Sequence, residues 1–506
     1  MIARKSALII FAQLLTGIIG FVGLKFIALY MEPWEYGVVG FAYGFVSLFS
    51  IFGDLGFGAA HVKRISEGKD FGKCLGTFAA AKIILTGIFA SGTILSIIIW
   101  RFVLGRGFES PLHEQAVYIL LAYFVLASLT QVFTATFSAT KEIAKSQIPY
   151  FMFTLVRVII TLFIAYFGLG VLVLAYTYLL GEIFQFVFAY YFFRTFSVKK
   201  PSLEYLRIYS KFAFPIAIAS ASSLIITNMD KVVIQLFWGA QQVGEYFAIF
   251  NLSRFVVNFS SAVAVLLLPT ISECHAKNNM GEIRKLTLSS ERYLSMIVFP
   301  IIILMVSLAE PIIHILLSDK YLPALQVMQI LPFFALLEAL SQPYQSQLQG
   351  MNMPHIVRNR ILIMMIVNVV LNLILVPSDI QSLGIKLAGL GATGSAIASV
   401  VAYFVGLLTT RIYAFRVANI KGNYRILLHI VAAALMGIII YYLIKIVYIG
   451  RWYQLLGLSL FGLLIYFGIL FCLREFTKKD FEFFIDTLNI KKMYTYIVDE
   501  LKGRQA

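Results

Sequence analysis

Lys25, Arg157, Lys231 and Arg254, with the acids Asp54, Glu182, Asp230 and Glu338, lie inside long apolar stretches of the sequence. A charge at mid-depth in hydrocarbon costs roughly 2.5–3.5 kcal/mol on insertion scales, so such residues face protein or water rather than lipid. Arg157 and Arg254 each sit about ten residues into their stretch, too deep to snorkel. Lys25 and Lys231 are nearer an end, where either snorkelling or a functional role fits; Lys445 is placed to snorkel. With Lys82 and Lys445 added, six basic residues stand against these four acidic ones and leave a slightly cationic interior. That balance suits an anionic ligand such as a diphosphate or an acidic sugar. Asp54, Glu182, Asp230 and Glu338 are the groups able to titrate or bind Na⁺ as a coupling ion.

Neutral polar residues accompany these charges at helical spacing. Tyr43, Ser47, Ser50 and Asp54 share one face; so do Ser220, Ser223, Thr227 and Lys231. Asn251, Arg254, Asn258 and Ser261 form a third stripe, and Glu338, Gln342, Gln345 and Gln349 a fourth. Such stripes either line a hydrated cavity or hydrogen-bond neighbouring helices. Lys25, Arg157, Lys231, Asn251, Arg254 and Asn258 are therefore the candidate substrate contacts.

Other chemistry is not indicated. Three cysteines without CxxC spacing and six scattered histidines give no disulfide framework, metal site or catalytic group. GLGATG at 389–394 matches GxGxxG but leads into an apolar helix with no Rossmann strand before it. The glycosylation-like triplets at 251 and 258 fall inside an apolar stretch, and no GxxxxGK[ST] is present. No cofactor is implied.

The elements that position these residues follow from composition. Of 506 residues 60% are hydrophobic and 13% charged, too little charge for a soluble surface of that size. Runs of about 20 apolar residues predict fourteen transmembrane helices in an all-α membrane fold. They lie at 6–30, 37–58, 74–100, 114–139, 147–167, 171–193, 212–236, 244–272, 293–317, 323–349, 356–376, 391–410, 426–448 and 452–473. Alternate loops and both tails hold 30 Lys plus Arg, the opposite side 5. This bias places both termini in the cytoplasm of a multi-pass cell-membrane protein and accounts for the net charge of +16 without nucleic acid.

An offset of 206 residues relates ISE at 65–67 to ISE at 271–273 and Lys25 to Lys231; YGVVGFA and VGEYFAI align with a slip of one. Six helices per repeat give halves of like orientation. The expected division is a six-helix lobe at 1–194, a cytoplasmic linker at 195–211, a second lobe at 212–416, two helices within 417–475 and a cytoplasmic tail at 476–506. Phe481, Phe484, Ile485 and Leu488 give that tail an amphipathic face. External loops are too short for a catalytic domain.

Several segments carry a resemblance. Pro215, Asp230-Lys231, VGEY, Pro269 before ISE, EYG at 35–37, DLGFGAA at 54–60, AEPIIHILLSDKYLPA at 309–324, and NVVLNLILVP at 368–377 followed by GATGSAIAS appear in order. Together they resemble the polysaccharide transport family, the O-antigen-type oligosaccharide flippases of the multidrug/oligosaccharidyl-lipid/polysaccharide exporter superfamily. The resemblance implies two six-helix lobes in a V around a central cavity, plus two C-terminal helices. It also implies a non-enzymatic flippase carrying polyprenyl-diphosphate-linked oligosaccharide to the outer leaflet by alternating access, with glycosyltransferases or a polymerase of the same pathway as partners. Alternatives are a lipid II flippase, a multidrug antiporter, or a membrane glycan polymerase or ligase. The last needs a large external loop, which is missing, and multidrug antiporters usually have twelve helices.

Overall fold

The computed structural model describes residues 2–103, 107–140, 142–380 and 385–476. Its helices are α1 (Ile2–Tyr30), α2 (Pro33–Phe49), α3 (Phe57–Ser66), α4 (Phe71–Ile98), α5 (Pro111–Ala139), α6 (Ile143–Phe167), α7 (Val171–Phe193), α8 (Leu203–Trp238) and α9 (Ala240–Ala276). There follow α10 (Met280–Ser307), α11 (Ala309–Ile312), α12 (Leu325–Ile330), α13 (Pro332–Gly350), α14 (Pro354–Leu375), α15 (Gly391–Ala418), α16 (Ile426–Ile446) and α17 (Trp452–Cys472). A two-residue antiparallel ladder, Asp379–Ile380 with Ile385–Lys386, is the only sheet among the described residues.

Among the described residues, twelve helical segments are long and apolar enough to cross a bilayer. The 29-residue α1 and 37-residue α9 complete fourteen long helices among the described residues. Large apolar side chains such as Leu464 (72% exposed) and Phe102 (73% exposed) stand outward, and so much exposed apolar surface requires lipid rather than water around it. Most spans begin where local chemistry dictates. Pro33 opens α2, where Glu35 reaches back 2.8 Å to the Glu32 N–H; Asp70 caps α4 by accepting from Lys73 N–H at 2.9 Å.

Three spans depart from those expected. The second span is not straight: α2 ends at Phe49, a 3₁₀ turn covers Ser50–Gly53, and α3 begins at Phe57. Asp54 makes that corner by accepting from Gly56 N–H (3.1 Å) and Gly58 N–H (3.0 Å), with Gly56 left-handed at φ +80°. The seventh span starts earlier, because α8 is helical from Leu203 and runs 36 residues, roughly 54 Å. The ninth breaks after α10 at Leu308. The tail's apolar face at 481–488 lies outside the described residues.

Contacts divide the chain into a unit of Leu15–Ala248 with Ile361–Ala402, and a second unit whose main parts are Ile249–Arg360 and the chain from Tyr403 onward. The first is built around Phe57, Phe78, Phe133, Phe137 and Tyr209. Buried His61 stacks on Phe78 at 4.2 Å and bonds Tyr209 Oη (2.9 Å) and Thr136 Oγ1 (3.0 Å). The segment before α8 is strapped across α4: Lys199 Nζ donates to Asp70 Oδ2 at 2.8 Å and its N–H to Gly72 O at 3.1 Å. The Lys199 bond, with the Lys73 N–H, holds the Asp70 carboxyl below its ordinary pKa. In the second unit α16 lies against α10, with Gly437 facing Ile303 and Ser307, and Glu475 beyond α17 is clamped by Arg292 and by Arg425 at 3.5 Å.

Candidate functional site

The deep charges fall into two classes. In the first, each is compensated by a protein partner. Fully buried Lys82 donates to Gly53 O and Gln131 Oε1, both at 2.6 Å, and lies 3.5 Å from Asp54 Oδ1. Arg360, 2% exposed, binds Glu338 Oε2 at 2.5 Å, and Glu338 Oε1 accepts from Gln345 (3.1 Å) and Gln342 (3.3 Å). Arg411 bonds fully buried Glu291. Asp54 and Glu338 are thus committed to a helix corner and an ion pair. Breaking one partner of such a buried pair typically costs 3–5 kcal/mol, so these residues hold the bundle together.

The second class is uncompensated. Among the described residues, neither Lys25, Arg157 nor Arg254 has a carboxylate within ion-pair distance. Arg157 on α6 stacks its guanidinium 3.7 Å from the Tyr178 ring centre and 5.3 Å from Phe153; its Nε is buried with no hydrogen bond. Tyr178 in turn lies 5.6 Å from Tyr43 and 5.7 Å from Tyr123, so α2, α5, α6 and α7 surround the arginine with aromatic rings. Gly181 permits this: a Cβ there would stand 2.9 Å from Arg157 Cγ. The cation–π contacts hold the guanidinium in place without neutralising it. In the other unit, Arg254 is exposed on α9 with its guanidinium 6.0 Å from Phe250. Asn258, one turn on, is exposed, and Asn251 is half-buried; Lys25 is half-buried on α1.

Lys231 differs from Lys25, its counterpart at the 206-residue offset. It is 2% exposed, and its ammonium donates to Thr227 O (2.7 Å) and Asn228 Oδ1 (2.9 Å) and sits 5.4 Å from the Phe247 ring. It packs against Gly44 of α2, where a Cβ would stand 3.2 Å from the lysine Cβ. Toward the helix starts, Phe247 stacks on Tyr36 at 4.9 Å and fills the space beside Gly40. Beyond it the backbones of α2 and α9 touch. A Cβ on Gly37 would lie 1.8 Å from Ala240 O, and one on Gly244 1.7 Å from Pro33 O. Lys231 therefore lies below a close backbone contact of α2 and α9 made by two reciprocal glycines.

Next to Lys231 in sequence, Asp230 occupies a different environment. It is 1% exposed, and Oδ1 accepts from Asn372 Nδ2 at 2.8 Å. Oδ2 accepts from Ser399 Oγ at 2.9 Å and from the Tyr246 hydroxyl. Ser395 donates to Asn372 Oδ1 (2.5 Å) and Asn368 to Ser399 Oγ (3.3 Å), while Asn368 Oδ1 is buried without a donor. The carboxylate on α8 thus accepts from an amide N–H and two hydroxyls of α14, α15 and α9; with these hydroxyl oxygens and the unmatched Asn368 Oδ1 nearby, it offers the hard oxygen donors that a small cation or a proton takes. Only Asp230 of this cluster was singled out from sequence. Asn368/Asn372 and Ser395/Ser399 are i, i+4 pairs within NVVLNLILVP and GATGSAIAS, and that spacing is the signal which marks them. Glu182, 3% exposed, accepts from Thr130 Oγ1 at 2.6 Å.

Among the described residues, twelve helices long and apolar enough to cross a bilayer, together with the shorter apolar Leu15–Tyr30, define a multi-pass membrane protein. Among solved structures, lipid II flippase MurJ in an inward closed conformation aligns over 92% of this chain and 98% of its own, at TM-score 0.75 and 15% identity. An inward-facing multidrug resistance MATE family transporter of the MOP superfamily aligns over 80% and 96%, at TM-score 0.62 and 18% identity. Residues 27–326 match the family described as polysaccharide biosynthesis protein, and the chain belongs to that family. The probable low-salt glycan biosynthesis flippase Agl15 of Haloferax volcanii is 24% identical over 469 residues, 92% of this chain and 94% of the relative.

Proposed function

We propose that the protein is a flippase for polyprenyl-diphosphate-linked oligosaccharide. It moves this substrate from the cytoplasmic to the outer leaflet by alternating access of two six-helix repeats, 1–194 and 212–416, for cell-surface polysaccharide or glycoprotein glycan assembly. It works in the cell membrane with both termini cytoplasmic, performs no bond chemistry, and receives its substrate from glycosyltransferases of the same pathway. The family and the flippase named among its relatives support lipid-linked glycan flipping. The observation that carries the anionic substrate is Arg157, a guanidinium stacked on Tyr178 at 3.7 Å with no carboxylate beside it. A half-buried guanidinium whose Nε is buried without a hydrogen bond, and which has no counter-ion, is costly unless a ligand supplies the charge. A diphosphate does so, while tyrosine rings and hydroxyls offer faces and hydrogen bonds to sugars. Arg254, flanked by Asn251 and Asn258, and Lys25 serve the same substrate in this reading. A lipid II flippase is the second reading, favoured by the 98% coverage of MurJ.

The cycle is driven by a cation bound at Asp230, with Glu182 a second titratable group in the path.

The reading is tested in proteoliposomes carrying a fluorescent polyprenyl-diphosphate oligosaccharide, by the accessibility of its sugar to an added lectin. Arg157→Ala and Arg254→Ala are each expected to slow flipping about tenfold or more, the cost of one charge-assisted hydrogen bond. Wild-type rates in both, with the proteins correctly inserted, would remove the diphosphate site.

A further inference from the structure

Between Asp379 and Glu475 the chain has no acidic residue, yet Arg411, Arg416, Lys421 and Arg425 crowd into fifteen positions at the end of α15 and the loop beyond it. Topogenic charge accounts for their number. It does not account for the cavity of about 440 Å³ that the second unit builds there, lined by Tyr344, Arg411, Ile412, Phe415, Ile420, Lys421 and Gly422.

Arg411 enters this cavity from the helix with one edge of its guanidinium committed. One terminal nitrogen bonds Glu291, which is fully buried behind it, and its Cζ lies 5.5 Å from the Tyr344 ring. Its Nε is buried with no hydrogen bond, and Nη1 stands 3.7 Å from where a Cβ on Gly422 would be. The space beside Nη1 exists because residue 422 is a glycine, left-handed at φ +84°. Lys421 is exposed on the same rim and has no ion-pair partner among the described residues. Glu291 offsets one positive charge, so Lys421 leaves the cavity cationic.

The other wall is apolar and faces outward. Phe404, Leu408, Ile412 and Phe415 are spaced by four, four and three residues, so they form one stripe along α15 that ends at the cavity mouth. Each is 43–50% exposed. A cationic pocket at the foot of a lipid-facing stripe matches an amphiphile with one anionic end. We infer that this cavity binds the phosphate of an anionic phospholipid headgroup, held by Lys421 and the open edge of Arg411, with an acyl chain along Phe404–Phe415. The site is separate from the residues proposed for substrate and coupling ion, and on the charge bias it belongs to the cytoplasmic leaflet.

Native mass spectrometry of the detergent-purified full chain with equimolar dioleoyl phosphatidylglycerol and phosphatidylcholine tests this. The wild-type protein is expected to retain phosphatidylglycerol preferentially. Lys421→Ala is expected to lower that occupancy about fivefold, and Lys421→Glu further, at roughly one lysine's worth of attraction to anionic lipid. Lys200→Glu, the same charge change at an exposed position in the other unit, is expected to leave it unchanged. Equal retention of the two lipids, full retention in Lys421→Glu, or an equal loss in Lys200→Glu would overturn the site. Displacement by inorganic phosphate at matched ionic strength would overturn the lipid as its ligand.

Discussion

Asp230→Asn is expected to fold and insert normally yet lose the dependence of flipping on a transmembrane cation gradient, with a rate about 100-fold lower, the upper range of a coupling free energy. Asparagine keeps the shape of the cluster around Ser399 and Asn372 but removes the one negative charge among its neutral oxygens. Asp230→Ala is a different perturbation. It strands the hydroxyls of Tyr246 and Ser399 and the amide of Asn372 in a dry interior, at about 1–3 kcal/mol for each unmatched group. Thermal unfolding therefore separates the variants: Asn close to wild type, Ala markedly lower. Proteoliposomes with imposed Na⁺ or pH gradients give the functional reading. An Asp230→Asn protein that responds to the gradients as the wild type does would move the coupling site elsewhere.

Gly37→Val carries the second large effect. The added side chain meets Ala240 O at 1.8 Å, a backbone atom that cannot swing aside, so α2 and the start of α9 must part. Overpacking of this kind costs about 1–3 kcal/mol, all of it charged to the closed arrangement. The contact above Phe247 and Lys231 should then be opened, and, on the alternating-access proposal, flipping should fall about tenfold or more because the cycle cannot return through the closed arrangement. Gly244→Val, which strikes Pro33 O from the other side, should do the same. A cysteine at Asn228, 5% exposed in the closed arrangement, reports on it in a protein lacking Cys74, Cys274 and Cys472. Membrane-impermeant thiol reagent should label it several-fold faster in the Gly37→Val background than with Gly37 intact. No faster labelling, with undiminished flipping, would mean the glycine contact is mere packing.

These glycines show what the sequence does and does not disclose. YGVVGFA and VGEYFAI were visible as a repeat, but not that Gly37 and Gly244 meet face to face, because helix contact depends on residues 200 positions apart. Spans bounded by sharp changes in polarity, such as α7 and α17, were legible to within a residue, since the length of an apolar run is set by the bilayer. The corner at Asp54 was hidden in an apolar run; it is made by a carboxylate bonding its own backbone, which hydropathy does not register. Arg360 falls inside the expected span 356–376, near its start, where a basic residue reads as topogenic. It lies inside α14 and is buried, because Glu338 of α13 supplies its counter-charge. For the same reason depth alone could not sort Arg157 from Arg360: both are arginines in helices, and only the presence or absence of a carboxylate separates an anchor from a candidate substrate contact.

The claim on which the rest turns is that the uncompensated cations serve a lipid-linked diphosphate. The most direct measurement is the leaflet distribution of lipid-linked oligosaccharide in cells lacking the protein, with and without wild-type or Arg157→Ala copies restored. Without the protein, or with Arg157→Ala, the oligosaccharide lipid should accumulate on the cytoplasmic leaflet, and the wild-type copy should clear it. Normal arrival at the outer face in the deletion cells would contradict the account.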